Sequence, residues 1–358
     1  MSDINKEIKK LFPILFEKIV GQEAAKKKAL FYLGSYLHTR IFPNTIITAP
    51  KGQGKTKLAR EIAKGLPLYN EQGEIVMEPD PKTNGKTERI VRKDFVEVNC
   101  STVKNLKQFI NGVLIQFVVG KKVTVFFDEA SELPRDVSMA LLTILNPNPE
   151  NRTTFSYEEY VCDFDFREQT FIFATSEPQK VFHALLDRLE RIDLEEYTHG
   201  DLSKIVQMGA KEVEFEKTTL ESIATVLRGN ARAGQMMADK VKQFLRGRIK
   251  FSTKDWNQLR EHLGIYPLGL NAGEIGILRH LETITEGTSL TCLAAKTGLS
   301  RESLQRDYEM HLQKHGLMEI STTGRVITAK GRDYLAGLAG KNPLVKNQTA
   351  AKKKLVEK

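Results

Sequence analysis

Two short stretches carry residues able to do phosphate chemistry. The first, Ala49-Pro-Lys-Gly-Gln-Gly-Lys-Thr56, lies between the apolar run Thr45-Ile-Ile-Thr48 and a segment of helical periodicity, 57–64. A phosphate cradle needs backbone N–H groups that close on oxygens with no Cβ in the way, and Gly52 and Gly54 meet that need. A lysine in the first helical turn reaches β- and γ-phosphates, and the hydroxyl after it holds Mg²⁺; these roles fall to Lys55 and Thr56. Pro50 stiffens the entry to the loop, and Lys51, Gln53 and Lys57 complete the candidate binding set. The second stretch, Lys122-Val-Thr-Val-Phe-Phe-Asp-Glu129, is apolar and β-branched and ends in two carboxylates, as a buried parallel strand does when it delivers acids at its C-terminal end. Asp128 is suited to Mg²⁺ and Glu129 to polarising an attacking water, a role the metal acid cannot also fill. Together the two stretches predict hydrolysis of ATP with Mg²⁺.

Such residues must be positioned by alternating strands and helices. Asp94-Phe-Val-Glu-Val-Asn-Cys-Ser101 reads as a further short buried strand followed by a helix capped by Ser101, and Gln169-Thr-Phe-Ile-Phe-Ala-Thr-Ser-Glu-Pro178 as another, ending in Thr175 and Ser176. The 68–91 interval, rich in Gly, Pro, Asn and charge, reads as an inserted hairpin or loop. Farther along, Ala184-Leu-Leu-Asp-Arg-Leu-Glu-Arg191 reads as a helix that carries Arg188, and Arg232 stands at the start of a helical segment within Arg228-Gly-Asn-Ala-Arg-Ala-Gly-Gln235. The fold class predicted is α/β: a P-loop core with a parallel sheet, an α-helical lid and a C-terminal winged helix. The boundaries are 1–194 for the core, 195–255 for the lid, 256–338 for the winged helix and 339–358 for a basic, disordered tail.

The composition sets limits on the partners. With 358 residues the chain exceeds what one core usually holds, and 41% hydrophobic with 28% charged residues is ordinary for a soluble protein. No apolar run is long enough to span a membrane, the first residues lack the apolar core of a secretion signal, and three widely spaced cysteines suit neither a disulfide framework nor a thiolate metal site. A cytoplasmic, reduced protein is expected. The formal charge of +9 favours a polyanionic partner.

The order of these motifs resembles AAA+ ATPases and, among them, the RuvB family of Holliday-junction branch-migration motors, from about Phe16 to Leu338. In that resemblance Phe16-Glu-Lys-Ile-Val-Gly-Gln22 matches the adenine-contacting segment, with Ile19 and Val20 as contacts. Ser176 matches the sensor 1 residue, Arg188 the arginine finger and Arg232 the sensor 2 arginine. The resemblance implies a ring, expected to be a hexamer, in which Arg188 acts on a neighbour's nucleotide and Arg232 on its own. Leu186 stands where the family more often has an arginine. The acidic, aromatic 153–166 segment occupies the place where the family engages its adaptor RuvA, which speaks against a RuvA-like partner and for a different adaptor.

The C-terminal third reads as helix, turn, helix and hairpin. Leu270–Glu282 is amphipathic, Ser289 to Gly298 a short helix, and Ser300 caps the next, with a hairpin turn at Thr322, Thr323, Gly324 and Arg325. Gly324, Arg325, Lys330 and Arg332 are the candidate contacts to duplex or branched DNA, through phosphates and with little sequence specificity. The competing expectation is a protein remodeller or loader, MoxR-like or clamp-loader-like, that uses the winged helix to grip proteins.

Overall fold

The computed structural model describes residues 8–83, 86–145, 152–157, 160–166, 168–284 and 286–341. The chain divides into two compact units, one formed by Met1–Val213 with Gly229–Gly247, the other by Glu214–Arg228 with Arg248–Lys358. The segment read from sequence as a lid, 195–255, is therefore shared between the two.

In the first unit the elements in chain order are α1 (Glu23–Thr39), β1 (Thr45–Thr48), α2 (Lys55–Lys64), β2 (Met77–Pro79), β3 (Glu88–Ile90), β4 (Asp94–Asn99) and α3 (Leu106–Phe109), which runs on as a π-helix, Ile110–Val118. Then follow β5 (Val123–Asp128), α4 (Arg135–Ile144), β6 (Arg152–Tyr157), β7 (Tyr160–Asp165), β8 (Thr170–Thr175), α5 (His183–Leu186), β9 (Glu190–Asp193) and α6 (His199–Gly209). Five strands form one parallel sheet in the order β4-β5-β8-β1-β9. The three central strands, β5, β8 and β1, are buried on both faces, so their successive side chains feed two separate cores, while the edge strands β4 and β9 keep exposed positions. Ile47, Phe126, Ile172 and Ala174 join α1 and α2 on one face. Ile46, Phe127, Phe171 and Phe173 join the π-helix and α4 on the other. This explains the unbroken apolar runs, since a strand covered on both sides has no polar alternate position. Phe127 and Phe173, on adjacent strands, stack at 4.8 Å between ring centroids.

The 68–91 interval contains the short antiparallel pair β2–β3, and its two ends are joined by Leu68 N–H to Val91 O at 2.9 Å. The helix after β4 is capped by Asn105, whose side chain accepts from Gln108 N–H, and not by Ser101, which sits in a preceding 3-10 turn. Asn99 takes the Ser101 N–H and hydroxyl, so the serine has no free role as a cap. The 153–166 segment forms the antiparallel hairpin β6–β7.

The second unit begins with β10 (Glu214–Phe215) and α7 (Lys217–Ala224); α8 (Ala231–Leu245) belongs to the first unit. The second continues with β11 (Lys250–Phe251), α9 (Thr253–His262), α10 (Ala272–Glu282), α11 (Leu290–Thr297), α12 (301–314), β12 (Met318–Ser321), β13 (Gly324–Ile327) and α13 (Ala329–Lys341). Asn271 and Glu274 form a capping box on α10, and Ser289 and Ser300 cap α11 and α12. Ile275, Leu278, Leu293, Leu304, Leu312 and Ile327 fill one core. From 342 on, the tail lies outside the described residues. Among the described residues no helix is long and apolar enough to cross a membrane.

Candidate functional site

Parallel sheets place ligands at the carboxyl ends of their strands, at the point where connections from neighbouring strands diverge. Here that point lies between β1 and β8, and the loop after β1 is the Gly-rich stretch. Gly52 and Gly54 adopt φ 82° and φ 94°, values open to glycine and strained for other residues. Gly54 leads directly into α2, so the helix N-terminus points its unpaired N–H groups at the loop.

A cavity of about 480 Å³ opens at this point, lined by Gly52, Gly54, Lys55, Thr56, Asp128, Glu129, Ser176 and Arg232 among others. The sheet brings together residues far apart in sequence. Thr56 Oγ1 donates to Asp128 Oδ2 at 3.2 Å, and Asp128 Oδ1 accepts Glu129 N–H at 3.0 Å. Glu129 is exposed and holds φ 57°, an unusual conformation for a non-glycine residue. Ser176 follows the last buried residue of β8, Thr175, whose hydroxyl takes Glu177 N–H at 3.0 Å. The ammonium of Lys55 donates to the carbonyls of Ala49, at 2.8 Å, and Pro50, at 3.2 Å. Burial lowers its pKa, with Arg232 and Lys51 adding to the effect while Asp128 and Glu129 oppose it.

The cavity lining offers both apolar and cationic groups. Ile19, Val20, Ile205 and Met208 give it apolar lining, and Lys18, Lys51, Lys57 and Lys211 add positive charge. Size, glycine cradle, cationic lining and the Thr56–Asp128 pair are together what a nucleoside triphosphate and Mg²⁺ require.

Not every predicted residue lies on the cavity wall. Pro50 does not line it. The Gln53 side chain is buried and turned away, donating to Gly229 O at 2.8 Å. Arg188, expected on a helix, lies instead just past the end of α5, because the chain turns there into β9; it is exposed and off the cavity, with Nη1 donating to Ala184 O at 2.8 Å. Ile205, Met208, Gly209, Lys211, Gln235 and Tyr197 line the cavity without having been anticipated. Burial raises the Tyr197 phenol, which stays protonated and donates to Gln53 O at 3.1 Å. Ile205, Met208, Gly209 and Lys211 lie on or just after α6, to which no motif was assigned, and Gln235 lies on α8 three positions after Arg232, within a stretch whose arginine alone was given a role.

In the second unit the structure corrects one expectation. Arg325 does not present its guanidinium to solvent. It is 12% exposed and bidentate on the buried Glu309, with Nε to Oε1 at 2.7 Å and Nη2 to Oε2 at 3.1 Å. Gly324 packs against Thr288, whose carbonyl oxygen would lie 2.5 Å from an added Cβ. Lys330 and Arg332, on the first turn of α13, remain exposed. Arg325→Ala would leave Glu309 buried without its cation and is expected to destabilise this unit by about 3 to 5 kcal/mol. Chemical denaturation would read that loss as a shifted midpoint, and an unchanged midpoint would show the pair to be dispensable.

This fold and this site define the AAA+ class of P-loop ATPases. Residues 45–197 match the model of the ATPase family associated with various cellular activities (AAA). Along nearly its whole length the chain is similar to proteins of the RuvB family at low identity. It is 22% identical over 334 residues to the Holliday junction branch migration complex subunit RuvB of Mycoplasma genitalium, covering 90% of this chain and 97% of that one. It is 24% identical over 333 residues to RuvB of Thermotoga maritima. The solved structure of the T. maritima RuvB Holliday junction branch migration motor superposes with a TM-score of 0.67 at 22% identity, covering 91% of this chain and 98% of that one.

Proposed function

We propose that the protein is a cytoplasmic, ATP-driven ring motor that moves double-stranded or branched DNA, performing branch migration of Holliday junctions as RuvB does. One observation carries this reading. Similarity to RuvB runs over 90% of the chain, through both units, whereas the general ATPase match stops at residue 197. A remodeller sharing only the ATPase core would not account for the rest.

The residues divide the work as follows. The Gly52–Gly54 loop and Lys55 would hold the phosphates, and Thr56 and Asp128 would hold a Mg²⁺ ion, which would supply neutralisation of phosphate charge. Glu129 orients and activates the attacking water, with Ser176 between it and the phosphates. Arg188 completes a neighbouring subunit's site, so turnover requires a ring; a hexamer is the assembly we favour. Arg232, on α8, contacts the chain's own nucleotide and moves that helix when the γ-phosphate leaves. The second unit holds DNA in the manner of a winged helix, through Lys330 and Arg332, with no base reading.

The decisive experiment is steady-state ATP hydrolysis without DNA, with linear duplex and with a four-way junction, each at low and moderate salt, using Lys55→Ala as the blank. Salt-sensitive stimulation by DNA, greatest with the junction, supports the proposal. Turnover indifferent to DNA in the assembled ring would transfer the assignment to a protein remodeller or loader.

DNA binding carries its own expected result. Each phosphate contact contributes about 0.9 to the slope of log affinity against log salt. Replacing both Lys330 and Arg332 by Ala should reduce that slope by about 2, to roughly the same extent on every sequence. Fluorescence anisotropy across a salt series measures it, and an unaltered slope would place the DNA surface elsewhere.

A further inference from the structure

The phosphate loop is gripped through its carbonyls. Lys51 O accepts from Asn230 Nδ2 at 3.0 Å, Gly52 O from Arg232 N–H at 3.1 Å, and Gln53 O from the Tyr197 hydroxyl at 3.1 Å. Three consecutive carbonyls of the loop are thus paired by the protein. A loop that binds an anion through successive N–H groups must find other partners for its carbonyls, and here they are supplied by the protein.

Asn230 has a second bond. As N-cap of α8 it accepts Ala233 N–H on Oδ1 at 3.0 Å, while its Nδ2 reaches the loop. One side chain therefore ties the first turn of the helix that carries Arg232 to the strand-to-helix loop that carries Lys55. The packing has no slack: a Cβ added to Gly52 would lie 2.4 Å from Asn230 Oδ1. Residue type matters as well. Ser and Asp cap helices about as well as Asn, but neither offers an N–H donor beside its acceptor.

We propose that Asn230 is a positioning residue that couples α8 to the phosphate loop, so that the shape of the loop and the placement of Arg232 change together. This inference rests on the ATP-site reading and deepens it: the asparagine acts through the Lys51 and Gly52 backbone, not through the nucleotide.

Asn230→Ser and Asn230→Asp keep the cap and remove the donor to Lys51 O. Both are expected to leave the thermal midpoint without nucleotide unchanged. Both should weaken binding of a fluorescent ATP analogue about fivefold to tenfold, the effect of one neutral hydrogen bond. A merely structural asparagine would leave the contribution of Arg232 intact, so a double-mutant cycle supplies the discriminating measurement. With coupling, Arg232→Ala costs less affinity in the Asn230→Ser background than in the wild type. Additive losses, wild-type affinity in Asn230→Ser, or a loss confined to the charged Asp variant would each overturn the proposal. Lys55→Ala, measured alongside, separates the two levels. If it abolishes binding while Asn230→Ser has no effect, only the coupling is wrong; if it binds normally, the ATP-site assignment fails and the coupling with it.

Discussion

Arg188→Ala is expected to lower ATP turnover by about 10³-fold or more while leaving nucleotide binding close to wild type. The reasoning is geometric. The guanidinium lies off the cavity of its own chain and is exposed, held loosely by Ala184 O. An arginine so placed adds nothing to its own site, yet it is available to a site presented by a neighbour. A charge brought to the transferring phosphoryl group stabilises the transition state far more than the ground state, so its loss falls on the rate and not on affinity. Mixing subunits tests the geometry directly. Arg188→Ala subunits keep the phosphate loop, and Lys55→Ala subunits keep the arginine. Rings containing both should recover part of the activity that either lacks alone. Co-assembled rings that stay inactive would rule out action between subunits.

Glu129→Gln should lower turnover by about 10² to 10⁴-fold and retain ATP, because the amide keeps the size and loses the base. The structure separates Glu129 from the metal acid beside it. Asp128 is engaged by Thr56 Oγ1 and by the Glu129 N–H, whereas the Glu129 side chain is exposed at the cavity. Its φ of 57° turns the chain sharply at the end of β5, so that two adjacent residues do not simply point to opposite faces as they would in a continuing strand. Single-turnover hydrolysis and equilibrium binding, measured on the same preparation, distinguish a lost base from a lost site. Near-normal turnover would remove Glu129 from the chemistry and require another group to activate the water.

These two variants differ in a useful way. Glu129→Gln stalls each site from within, whereas Arg188→Ala stalls the site next door. A ring doped with small amounts of each would therefore lose activity in the same proportion only if neighbours are coupled one to one.

The local chemistry was legible in the sequence because it is local. The phosphate loop is one contiguous segment whose glycines, lysine and hydroxyl must stand at fixed spacing, and Asp128 and Glu129 end a run whose unbroken apolarity signals a strand buried on both faces. The cap of α12 by Ser300 was readable for the same reason, since a cap and its helix are neighbours in the chain. What the sequence alone did not determine is which distant groups meet. Thr56 and Asp128 become partners only because β1 and β5 both flank β8 in one sheet. Lys51 and Asn230, 179 positions apart, meet through packing that no spacing encodes. Arg325 looked like a free cation at a hairpin turn, and the fold turned it inward onto Glu309. Local spacing constrains backbone conformation directly, whereas the partner of a side chain is chosen by the collapse of the whole domain, where burial, the desolvation of charge and the pairing of polar atoms are settled together.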